Sequence, residues 1–194
     1  MLAGMANPTR PSHLPAGVTP DGDGIVVGDG PVRVDAFIDF LCPYCRRFEL
    51  SSGPTLALMV ADREISIAYH PMNFLDEAST TSYSTRAAAA SGCAADQGRF
   101  ADYAHALFAH QPPEGGPGLS DAELAGLASE AGLAEAEFAA CLSGGQYLDW
   151  PPYVTARATE AGVGGTPTVR VAGADVAPEP QAISAAVARA GGAG

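Results

Sequence analysis

Val32-Arg33-Val34-Asp35-Ala36-Phe37-Ile38-Asp39-Phe40 runs straight into Leu41-Cys42-Pro43-Tyr44-Cys45. The second half of the first segment is nearly all apolar, as in a central strand covered on both faces. The residues that follow carry Phe48, Leu56, Met59 and Val60 as core candidates and read as a helix. Pro54 lies inside it and is expected to kink or interrupt it. Cys42 thus stands at a helix N-terminus, where unpaired backbone N–H groups and the macrodipole favour a thiolate. Two intervening residues let one helical turn close a small disulfide that exchange chemistry can open and re-form. Cys42, at the exposed end, is the expected nucleophile; Cys45, one turn inward, is the expected resolving thiol. The same spacing is also half of a tetrahedral zinc site. Zinc would need a second pair, and Cys93 and Cys141 stand in separate helical stretches. The strand–turn–helix context therefore favours redox chemistry.

Working outward, residues 1–23 are broken by Pro8, Pro11, Pro15 and Pro20 and read as an extended arm. Ile25-Val26-Val27 is a short edge-strand candidate. After the helix, Glu64 to Tyr69 alternates Ile65, Ile67 and Tyr69 and reads as another strand. From Ser79 to about Ala161 alanine-rich helical stretches take over. Phe100, Ala104, Leu107 and Phe108 share one helical face, Ser120 to Glu123 is a capping-box pattern, and Asp149 ahead of Trp150-Pro151-Pro152 opens a further helix. The strand pattern returns at Thr168 to Val171, turns at Gly173, and ends in a helix from about Pro180 to Ala190. The expected order is β-β-α-β, a helical block over 79–161, then β-β-α. That is an α/β protein whose strand-bearing segments, 24–78 and 162–194, flank an insertion.

The 194 residues carry 22 acidic and 10 basic side chains, the latter all arginine, for a net charge of −12. With 47% apolar and 16% charged residues, a packed core is within reach. The length suits one domain with an insertion. An acidic balance argues against nucleic-acid or anionic-membrane binding. No apolar run approaches the roughly 20 residues of a membrane span. The first 30 residues hold no apolar stretch like a signal h-region. As written the chain is expected in the cytoplasm; an exported or cell-envelope protein with its signal removed is the alternative.

A second motif, Gly164-Gly165-Thr166-Pro167-Thr168, sits just before a strand. Proline at a strand's first residue gives up only one ladder donor. With a dithiol elsewhere in the chain, a cis Thr166–Pro167 bond is expected, its preceding backbone lying beside the cysteines and pairing with an extended substrate.

Taken together, Cys-Pro-Tyr-Cys after an apolar strand, a long helical insertion, and Gly162 to Thr168 ahead of the last strands resemble the DsbA-like branch of the thioredoxin superfamily. The resemblance covers roughly residues 24–190. It implies a thioredoxin fold with an inserted α-helical domain capping the active site, and a thiol:disulfide oxidoreductase. Protein thiols and disulfides would be its substrates, with a redox partner to recycle it and a redox-active disulfide instead of any metal or organic cofactor. It implies Cys42 as nucleophile, Cys45 as resolving thiol and Pro167 as the cis-proline facing them, with Thr166, Pro43 and Tyr44 at the substrate. The chain departs from the family in having Ala36 six positions before Cys42, where a buried acid is common; Asp35 and Asp39 are nearby. Pro43-Tyr44 is also the pair of many glutaredoxins. A glutaredoxin-like or reducing cytoplasmic enzyme is therefore one alternative, and a non-catalytic thioredoxin-fold binding module with a redox-sensing dithiol is another.

The remaining pair, Cys93 and Cys141, lies in small-residue helical sequence, Ser91 to Ala95 and Phe138 to Leu142. Helices of that kind approach closely enough for a structural disulfide, which is expected here; two reduced, buried thiols, which a cytoplasmic location would favour, are the alternative. His70 reads as a partly buried strand-end side chain, and His105 and His110 as solvent-facing. Arg46 and Arg47 are candidates to stabilise the Cys42 thiolate but are expected to point to water. Trp150 and Tyr153 suit either a groove rim or the core.

Overall fold

The computed structural model describes residues 9–192. The first eight positions of the expected arm lie outside the described residues. Five strands form one mixed sheet in the order β1-β3-β2-β4-β5: β1 Ile25–Val27, β2 Val32–Ile38, β3 Ile65–Pro71, β4 Thr168–Val171 and β5 Ala174–Val176. β2 and β3 run parallel, with Val34 opposite Ile67; every other pairing is antiparallel. β2 is central, and Ala36, Phe37 and Ile38 are buried in succession, as expected of a strand covered on both faces.

Helix α1, Pro43–Ala61, joins β2 to β3, and α7, Pro180–Gly191, packs beside it against the sheet. The expected interruption at Pro54 does not occur: α1 is continuous through it. Proline deletes one N–H and disfavours the α region for the residue before it. Here that residue is Gly53, which has no Cβ to clash. The carbonyl of Leu50 that loses its partner belongs to an exposed residue, so water can satisfy it.

Between β3 and β4 lie a 3₁₀ turn at Asp76–Ala78 and five helices: α2 Tyr83–Ala95, α3 Phe100–Ala109, α4 Asp121–Glu130, α5 Glu135–Ser143 and α6 Trp150–Glu160. Ser120 accepts from the Glu123 amide while Glu123 reaches back to the Ser120 amide, a complete capping box. Cys93 of α2 and Cys141 of α5 are bonded, with Cα atoms 5.9 Å apart. The small residues around Cys93, all buried, permit that approach.

Residues 9–24 do not extend into solvent as an arm. Val18 bridges to Ile25, and Pro11, Pro15 and Thr19 are buried. Trp150 and Tyr153 hold this segment, the indole N–H donating to the Gly22 carbonyl at 2.9 Å and the phenol to the Asp21 carbonyl at 2.7 Å. They are core and clamp, not a groove rim. Gly24 lies so close to His70 that a Cβ would come within 2.8 Å of its ring.

Candidate active site

β2 ends at Ile38, and Asp39 to Leu41 turn the chain into α1. The Asp39 carbonyl accepts from the Cys42 amide at 3.0 Å. Cys42 is the N-cap of α1 and Pro43 occupies the first turn, where a missing N–H costs nothing. The motif's own carbonyls are held from the helical block: the Gln111 side-chain amide donates to Phe40 at 2.9 Å and to Cys42 at 3.0 Å.

Cys42 is less exposed than a helix-end position suggests. Its relative accessibility is 5%, against 0% for Cys45. The Thr166–Pro167 loop lies against it: that bond is cis, and the Cys42 sulfur is 3.4 Å from the Thr166 carbonyl oxygen. Tyr44 is 64% exposed and stands over the same end of the helix.

The two thiols are electrostatically unequal. The Cys45 thiol donates to the Cys42 sulfur. Against the opposing effect of partial burial, this bond, the Thr166 side chain and the amides of Cys45 and Tyr44 bring the Cys42 pKa down to about 6. Burial pushes the Cys45 thiol well above its ordinary value, and the Cys42 negative charge adds to this. Arg46 and Arg47 are exposed; the Arg47 guanidinium stacks 5.4 Å from the Tyr44 ring centroid. Helix start and hydrogen bonds, not arginine, account for the depressed thiol.

Asp39, which the sequence offers with Asp35 as an acid near the motif, is the one that the fold brings to the dithiol. It is fully buried, and its amide donates to the Cys45 sulfur at 3.4 Å. Its carboxylate accepts from the Leu41 amide at 2.9 Å, the Leu75 amide at 2.9 Å and the Ser84 hydroxyl at 2.6 Å. Burial nevertheless wins over these three bonds and pushes its pKa up to about 6, with the Cys42 charge contributing in the same direction. This places a buried acid that titrates near neutrality three residues before Cys42, while position 36 is an alanine.

Other sequence candidates lie elsewhere. His70 is buried; its Nε2 is 2.9 Å from Asp35 and its Nδ1 is 2.7 Å from the Asp23 carbonyl, and its ring stacks on Phe37. It ties the N-terminal segment to the sheet. Burial pulls Asp35 upward, but the bond to His70 and the Arg33 charge outweigh it and hold the carboxyl below its usual range. His105 and His110 are exposed and pair with Glu49 and Glu130. Among the described residues no cluster of three His, Cys, Asp or Glu side chains is arranged to hold a metal. Cys93 and Cys141, bonded to each other, do not complete a zinc set with the motif.

The family model described as Thioredoxin matches residues 21–189. The structure superposes on oxidised Mtb DsbA with a TM-score of 0.77 at 34% identity, covering 88% of this chain and 93% of that one. It matches the reduced disulfide bond oxidoreductase DsbG from Mycobacterium tuberculosis with a TM-score of 0.76 at 34% identity, covering 87% of each chain. The chain belongs to the DsbA-like branch of the thioredoxin family. It is also 38% identical over 160 residues to the serine/threonine-protein kinase PknE of Mycobacterium tuberculosis, a match taking in 76% of this chain and 28% of that protein. The chain thus spans a little over a quarter of the length of that curated relative. BdbD from Bacillus subtilis, 18% identical with a TM-score of 0.74 over 92% of this chain, shares the fold. In this DsbA-like setting the strand-to-helix dithiol and the cis-proline loop are one site, assembled from segments 124 residues apart.

Proposed function

We propose that this DsbA-like oxidoreductase oxidises protein thiols, with Cys42 as the attacking and attacked sulfur and Cys45 as the resolving one. In that direction a substrate thiolate attacks the Cys42 sulfur of the Cys42–Cys45 disulfide. The intramolecular S–S bond breaks, its electron pair leaves on Cys45, and a mixed disulfide forms. The buried Cys45 thiolate takes a proton, for which Asp39 is the adjoining buried acid. The substrate's second thiolate then attacks its own sulfur in the mixed disulfide and expels the Cys42 thiolate, leaving the substrate oxidised and the dithiol reduced. A partner disulfide must accept the two electrons to restart the cycle.

The observation that carries this reading is the inequality of the two thiols. A Cys42 thiolate held near pKa 6 stabilises the reduced form, which makes the pair a better oxidant. Thr166, Pro167, Pro43 and Tyr44 line the approach to Cys42, and the Thr166 backbone suits pairing with an extended polypeptide. Residues 79–161 act as the helical domain over the site, and the Cys93–Cys141 bond supports a working place in an oxidising compartment outside the cytoplasm.

Equilibrating the Cys42–Cys45 pair with glutathione redox buffers tests the direction. A potential of about −180 mV or higher is expected; one near −270 mV would assign a reductant instead. A glutathione-dependent assay on a mixed disulfide separates the glutaredoxin-like alternative, and absence of any exchange would favour a binding module.

A further inference from the structure

Further along α1, from one turn beyond Cys45, the helix faces α3 and the β1–β3 side of the sheet across a cavity of about 680 Å³. Its walls are aliphatic and aromatic, among them Ile38, Leu56, Val60, Ile67 and Phe108. Neither motif cysteine, nor Thr166 or Pro167, belongs to it. The volume falls within the range of sites that hold small organic ligands, which combine apolar walls with a few converging polar groups.

Two polar groups converge here. The Glu49 side chain is 15% exposed, and its contact is His105 at 3.3 Å, a side chain that is itself 61% exposed at the mouth. Tyr69 is 9% exposed, and its hydroxyl has no protein partner among the described residues. The oxygen itself is not sealed from solvent, unlike the unpaired phenol of Tyr83. The two groups sense each other: besides burial, the Glu49 charge holds the Tyr69 phenol in its protonated form.

The charge around the cavity has one sign. Its lining carries the carboxylates of Glu49, Asp102 and Glu130 and the single imidazole of His105, with no arginine. Asp102 is met by Arg99 at 3.1 Å and Glu130 by His110 at 2.9 Å, both partners outside the cavity, whereas His105, the partner of Glu49, is part of the lining. A carboxylate or phosphate ligand would meet three carboxylates and no arginine there, whereas an ammonium group would find an acceptor pair. We propose that this cavity binds a small hydrophobic amine, its apolar body against the α1 and α3 walls and its ammonium donating to the Glu49 carboxylate and the Tyr69 oxygen.

Calorimetric titration of the full chain with three probes of one size tests this: 2-(2-naphthyl)ethylammonium, 2-(2-naphthyl)ethanol and 2-naphthylacetate. The ammonium probe is expected to bind at least tenfold more tightly than the carboxylate. In Glu49→Gln that preference should shrink about tenfold, which corresponds to about 1.4 kcal/mol. Ala57 is exposed and lines the cavity, so Ala57→Trp closes it without entering the core and should abolish binding. Equal affinity for the three probes, affinity that survives Ala57→Trp, or no saturable binding of the ammonium probe would each overturn the proposal. Disulfide exchange with oxidised glutathione should stay at the wild-type rate in both variants. A changed rate would overturn the separateness of this cavity from the dithiol.

Discussion

Replacing Asp39 by asparagine keeps the side chain's volume and removes its charge and its proton. The carboxyl is fully buried, and its pKa is about 6 against an ordinary 3.8. A raised native pKa means that the folded state holds the proton more tightly than the unfolded chain does. The stability this confers is present in full below about pH 4 and is lost as pH rises through about 6. A difference of about two pKa units corresponds to about 3 kcal/mol. Asparagine has no proton to lose over that range. The wild-type minus variant stability should therefore fall by about 2 kcal/mol between pH 4 and pH 7, and by the full amount only from well below pH 4. A second effect is superimposed: asparagine offers one acceptor oxygen to three donors, so one amide faces an N–H, at a pH-independent cost of about 1–3 kcal/mol. Urea unfolding at unit pH steps, with the Cys42–Cys45 pair reduced, separates the slope from the offset. The same variant bears on the chemistry. Asp39 and Cys42 repel as anions, so removing one charge should shift the Cys42 alkylation midpoint below about pH 6. A stability difference that stays flat across pH 4–7 would refute the buried-acid argument. An alkylation midpoint that stays put or rises would refute the coupling.

In the reduced wild type, iodoacetamide should label Cys42 with a midpoint near pH 6 while Cys45 stays slow; equal rates would defeat the assignment of their roles. Removing the Cys93–Cys141 bond by a double alanine substitution opens a 48-residue separation and should cost about 4 kcal/mol on the chain-entropy model, or about 10 °C in Tm. A loss below about 1 kcal/mol, measured by thermal unfolding, would contradict that. Gln111→Leu strips the donors from the Phe40 and Cys42 carbonyls and should destabilise by about 1–3 kcal/mol in urea unfolding; an unchanged midpoint would show that water replaces the amide.

Sequence alone determined the features that neighbouring residues decide. The apolar run of β2, the proline at the first turn of α1, the Cys42-x-x-Cys45 spacing and the Ser120 capping box are all set within a few positions, because periodicity and capping are short-range physics. The small residues around Cys93 were likewise readable as a close-approach surface. Asp39 was not. It lies one residue past the end of β2, where alternation no longer assigns a face, and two of its three donors come from Leu75 and Ser84, 36 and 45 residues on. Gln111 reaches the motif from about 70 residues away, and the Thr166 carbonyl that covers Cys42 comes from 124 away. The Glu49 and Tyr69 cavity draws its walls from α1, α3 and the sheet, which only the fold brings together. Burial and charge at these positions depend on what the folded chain brings beside them, and those partners are distant in sequence, so only the tertiary structure decided them.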